Sequence, residues 1–127
     1  MDGGNGDDGI TGGAGHDFVR GDHGSDEVNG GADHDVIYGS LGDDEIRGAG
    51  SGDLITGGRG EDLIYGKRGQ DEIHGDEGAD QIHGGRGNDQ IQDVQGINRI
   101  ICGPGFDEVV TNGRTGVATN CEEVDEA

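Results

Sequence analysis

An aliphatic residue recurs at every ninth place from Ile10 to Val109, through twelve consecutive nonapeptides without one insertion or deletion. The frame opens at Gly3 with GGNGDDGIT and closes at Val110 with CGPGFDEVV. Its eighth position holds Ile10, Val19, Val28, Ile37, Ile46, Ile55, Ile64, Ile73, Ile82, Ile91, Ile100 and Val109. A fixed period of this kind marks a repeat architecture, in which each unit buries its apolar side only against its neighbours. Composition points the other way: 28% hydrophobic residues and a formal charge of −20 are what a disordered chain carries. A disordered acidic tract has no reason to keep one β-branched residue at every ninth place, so the period outweighs the composition.

The other columns of the repeat are as regular. Position 1 is Gly in ten of the twelve units, and so is position 4. Position 6 is Asp in eleven, with Asn98 the exception, while positions 3, 5, 7 and 9 vary freely. This pattern resembles the RTX (repeats-in-toxin) hemolysin-type family of calcium-binding nonapeptides, GGxGxDxUx, where U is a large aliphatic residue. The resemblance covers residues 3–110. It implies an all-β fold, a right-handed parallel β-roll with two nonapeptides per coil, about six coils and a C-terminal cap over residues 111–127.

Each nonapeptide reads as a six-residue turn followed by a three-residue strand. Glycines meet the backbone angles of the tight turn, and the position-8 aliphatic faces inward while its neighbours at 7 and 9 face out. With two units per coil, repeats two apart stack. Asp8, Asp26, Asp44, Asp62, Asp80 and Asn98 then form a first column of turn residues, and Asp17, Asp35, Asp53, Asp71, Asp89 and Asp107 a second. Carboxylates stacked about 5 Å apart repel by about 3 kcal/mol per pair at an effective dielectric near 20. A hard dication between successive turns reverses the sign, and calcium suits a site made only of oxygens.

The resemblance implies the ligands: carboxylate oxygens from two stacked turns, with backbone carbonyls near Gly4, Gly6, Gly13, Gly15, Gly24, Gly31, Gly42, Gly58, Gly60, Gly69, Gly78, Gly85 and Gly87. Five gaps on each side hold about ten ions at most, and about 8–10 Ca2+ are expected once imperfect gaps are allowed for. Ten dications would neutralise the formal charge of −20.

Four departures stand out. Asp33 and Ser51 replace Gly at position 4, which is expected to weaken the gaps beside Asp35 and Asp53. Repeat eleven, DVQGINRII, lacks both its first Gly and its Asp, so the Asp80–Asn98 gap is expected to be weak or empty. Beyond it, Pro104, Phe106 and a cysteine pair are placed to cover the last coil. That ending resembles the cap of secreted actinobacterial-type members, which implies a Cys102–Cys121 disulfide; two reduced, buried thiols are the alternative.

Several functions are disfavoured. An excess of 28 acids over 8 bases makes nucleic acid and anionic membrane poor partners. Ser25, Ser40 and Ser51 all fall in turns, no nucleophile motif is present, and the chain is expected to be non-enzymatic. The other reading is an adhesin or interaction scaffold using an exposed face. Ice binding is disfavoured because position 5 lacks a regular Thr or Asn array. Phe18, Val36 and Leu54 share position 7 of alternate repeats, an expected apolar ladder for self-association or an upstream domain. The repeat is already running at Met1, which predicts a longer parent protein. The resemblance places it outside the cell, where calcium would fold it.

Overall fold

The computed structural model describes residues 1–112 and 117–126. Fifteen short strands and no helix are found among them. One sheet contains β1 (Asp2–Asn5), β3 (Phe18–His23), β5 (Val36–Leu41), β7 (Leu54–Arg59), β9 (Glu72–Glu77), β11 (Gln90–Asp93), β13 (Glu108–Thr111) and β15 (Glu123–Glu126). The facing sheet contains β2 (Gly9–Ala14), β4 (Glu27–Ala32), β6 (Glu45–Ala49), β8 (Leu63–Arg68), β10 (Gln81–Arg86), β12 (Arg99–Ile101) and β14 (Val117–Thr119). Every pairing is parallel and joins residues one coil apart, as in Ile37↔Ile55 and Ile46↔Ile64. The chain therefore winds as a right-handed parallel β-roll with two nonapeptides per coil.

Most strands are longer than three residues, β12 and β14 excepted. A typical one, Val36–Leu41, runs from position 7 of one repeat through position 3 of the next. Only positions 4–6 are left to turn the corner. Glycine tolerates extended backbone as readily as bent backbone, so sequence spacing alone did not reveal that the first half of the supposed turn joins the ladder.

The core is two facing files of aliphatics, one from each sheet. Position 8 is buried from Val19 to Val109, while Ile10, at the open first coil, is only partly covered. Each sheet contributes one such inward side chain per coil, so the interior is thin. Position 7 faces out in register: Phe18 pairs with Val36, Val36 with Leu54, and Leu54 with Glu72. Phe18 is 54% exposed, and its ring lies 5.6 Å from that of Tyr38.

At the C-terminal end, Cys102 is bonded to Cys121 with Cα atoms 5.3 Å apart. Strands β14 and β15 pair with β12 and β13, adding one strand to each sheet. Phe106 does not cover the core as expected: it is 61% exposed. It occupies position 5, and side chains there point away from the roll.

Candidate metal centre

Each turn places its position-6 carboxylate between coils, and the backbone divides the two oxygens unequally. Oδ1 accepts a hydrogen bond from the position-6 N–H of the preceding coil. In the first column Asp26 N–H donates to Asp44 and Asp44 N–H to Asp62; in the second, Asp53 N–H donates to Asp71 and Asp71 N–H to Asp89, all at 2.8–3.0 Å. This ladder explains how carboxylates can stack at all: each is held by a donor from the layer beneath.

Oδ2 has no such partner. In Asp8, Asp17, Asp26, Asp35, Asp44, Asp53, Asp62, Asp71, Asp80, Asp89 and Asp107 it is buried without a hydrogen bond. Its surroundings are acceptors. A Cβ built on Gly39 would lie 2.4 Å from Asp44 Oδ2 and 2.6 Å from the Gly57 carbonyl oxygen. The same arrangement recurs at Gly66, where the distances are 2.4 Å to Asp71 Oδ2 and 2.5 Å to the Gly84 carbonyl. An unpaired anionic oxygen facing a carbonyl in a dry interior is costly without a cation to share.

Position 1 is therefore Gly in ten repeats for want of space, and not for a left-handed backbone: a side chain there would crowd the carboxylate of its own repeat. Position 4, like position 2, is a place where both reasons apply. Gly78 has φ 145°, and a Cβ there would meet the Gly60 carbonyl oxygen at 1.6 Å. Carbonyls at position 4 thus rise toward the next turn. The position-1 carbonyls of Gly39, Gly57, Gly75 and Gly84 also lie beside the carboxylates. Sequence reasoning, centred on glycines at positions 2 and 4, did not name them.

Burial dominates the electrostatics. It pushes the Asp44 and Asp53 carboxyls up to about 6, and those of Asp62 and Asp71 to about 7, with neighbouring carboxylates adding to the rise and the backbone hydrogen bond opposing it. Asp80 is raised to about 6, and Asp89 and Asp107 are also raised, again chiefly by burial. A stack of carboxyls driven toward protonation is one that a dication can hold ionised.

Among the described residues no three His, Cys, Asp or Glu side chains converge as a cluster. That fits oxygens spread along the roll, carboxylates and backbone carbonyls, in place of one compact cluster. All donors are hard oxygens, which suits calcium and excludes soft-metal thiolate chemistry. The His16 and His34 rings stack with centroids 5.5 Å apart. His16 Nδ1 lies 2.9 Å from the His34 carbonyl oxygen, and His34 Nδ1 lies 2.5 Å from that of Gly52.

The two departures at position 4 fall on one column. Asp33 and Ser51 both hold positive φ, 74° and 71°, and the Gly15 N–H donates to the Asp33 carboxylate at 3.2 Å. At the end of the same column Glu122 accepts from the Asp107 N–H at 3.2 Å, standing where a next Asp would be. Only its place after Cys121 hinted at that role.

A parallel roll whose turns present two files of buried, half-satisfied carboxylates is a calcium-binding β-roll. The model of the RTX calcium-binding nonapeptide repeat (4 copies) matches residues 2–37, 20–55, 29–64, 38–73 and 56–91, and the chain belongs to that family. No curated protein and no solved structure matches it significantly.

Proposed function

We propose that the chain is a calcium-dependent folding and stabilising module of a secreted bacterial protein. It is unfolded without the ion and forms the roll as about 8–10 Ca2+ bind between stacked turns. The observation that carries this reading is the orphaned Oδ2 repeated at every position-6 Asp. A core of two aliphatics per coil is too thin to hold a glycine-rich chain against its ordering entropy. Bound calcium would supply the positive charge that the two columns lack. The position-6 carboxylates, Asp8 to Asp107, hold it from the sides and the glycine-rich carbonyls complete its shell, with Asn98 contributing poorly. In this reading those carboxylates are structural, and the module carries no catalysis of its own. Folding outside the cell follows from millimolar calcium there and its scarcity in the cytosol.

Chelation is the test. Adding excess chelator to the calcium-loaded chain is expected to abolish its β-type far-ultraviolet circular dichroism, and elemental analysis of the loaded form to count about 8–10 ions. Magnesium is expected to substitute poorly, because it demands a tighter octahedron. Strands that survive chelation would refute the reading.

A second role is favoured by the register of Phe18, Val36 and Leu54, which lines three apolar residues along one sheet. Its partner would be a second copy of the chain. Replacing all three by Ser is expected to lower the sedimentation coefficient of the calcium-loaded form, and an unchanged value would remove this role.

A further inference from the structure

Repeat eleven carries two differences, Asp93 for the position-1 Gly and Asn98 for the position-6 Asp. The structure joins them. Asp93 is 1% exposed, and neither of its carboxylate oxygens has a hydrogen-bond partner. In the ten repeats with Gly at position 1 a side chain there would crowd the Oδ2 of its own Asp, as at Gly21, where a Cβ would lie 2.3 Å from Asp26 Oδ2. Asn98 removes that oxygen. Its Oδ1 still accepts from the Asp80 N–H at 2.9 Å, while its Nδ2 donates to the Gln95 carbonyl at 2.7 Å.

The space released is filled by Asp93, which points back toward the preceding coil. A Cβ on Gly75 would lie 2.5 Å from Asp93 Oδ2 and 2.7 Å from Asp80 Oδ2. Beside Asp80, therefore, a second carboxylate stands where the other coils offer a backbone carbonyl. Repeat eleven has kept its carboxylate and moved it from position 6 to position 1.

We propose that Asp93 is a calcium ligand, and that with Asp80 it forms the last cation site of the first column in place of the carboxylate that Asn98 lacks. The inference rests on the calcium-dependent reading above. It replaces the expectation of a weak or empty Asp80–Asn98 gap with a complete site of altered design. Asp80 Oδ2, the oxygen its backbone donor leaves free, and the unpartnered Asp93 carboxylate are strongly unfavourable as buried neighbours unless a cation lies between them. Burial and the Asp80 charge raise the Asp93 carboxyl to about 8, while the nearby Gln95 N–H, short of hydrogen-bond geometry, pulls the other way. The hard-oxygen pair and the adjoining carbonyls again select calcium.

Native mass spectrometry in saturating calcium tests the site, using the wild-type chain, Asp93→Asn, and the exchange Asp93→Gly with Asn98→Asp. Asp93→Asn is expected to bind one ion fewer than wild type, and the exchange to bind the wild-type number. An unchanged count in Asp93→Asn would overturn the assignment. Should that variant fail to fold, the exchange decides alone: a count equal to wild type supports the site, and a count one higher overturns it. A wild-type chain that takes up no calcium would bring down the underlying reading as well. An altered site only is lost if wild type binds its ions and Asp93→Asn binds as many.

Discussion

The two turn columns are made from the same nonapeptide, yet they depart from it at different places. In the first, every position 4 is Gly, from Gly6 to Gly96, and the irregularity is held back to Asp93 and Asn98 at the end. In the second, Asp33 and Ser51 interrupt the glycines early, and the column ends on Asp107 with Glu122 supplying the next acceptor. The lesson is that the carboxylate ladder is less tolerant than the turn that carries it. A turn with a non-Gly residue at positive φ is strained but still places its Asp. A repeat that loses its Asp must recover a carboxylate elsewhere.

The sharpest way to break the equivalence of the columns is to remove an interior carboxylate from each. Asp62→Asn and Asp71→Asn should each cost about two ions, because each Asp serves the gap below and the gap above. Ion counting by native mass spectrometry checks this, and unequal losses would mean that the columns bind differently. Acidification probes what they share. Folded carboxyls at about 6 to 7 hold protons that an unfolded chain, whose aspartates titrate at the ordinary 3.8, has released. Raising the pH through that window therefore removes stability from the metal-free roll, which should gain strand signal toward pH 4. With calcium the sign reverses, since the ion must displace those protons: the calcium midpoint should rise as pH falls from 8 to 6. Circular dichroism titrations at fixed pH follow both.

Position 4 sharpens the comparison at smaller scale. Gly78→Ala in the first column puts a Cβ against the Gly60 carbonyl at a strongly positive φ, and should destabilise the loaded roll by about 3 kcal/mol. Ser51→Gly in the second relieves a φ of 71° and should stabilise it by about 1 kcal/mol. Thermal melts in calcium measure the two, and a Ser51→Gly variant that melts lower would show that the serine makes a contact worth more than its strain.

Much of this was legible from the repeat. The inward Ile and Val files follow from period and residue type, while the roll, with its stacking of repeats two apart and both aspartate columns, follows from the family resemblance that the repeat carries. The longer strands were not, because Gly says nothing about whether it is extended or turned. Phe106 misled for a related reason: an apolar residue at an outward position has the composition of a cap without the direction of one. Asp93 was read only as a missing glycine, since its partner in meaning, Asn98, stands five residues away and their side chains meet only in the fold.

Residue order alone sets the repeat, because a nine-residue period with one buried aliphatic and one acid leaves few ways to satisfy both. How each carboxylate is used is settled in the folded roll. Oδ1 finds its donor and Oδ2 its acceptor-lined pocket in a coil 18 residues away. Contacts at that range depend on the pitch of the winding, which no single repeat contains.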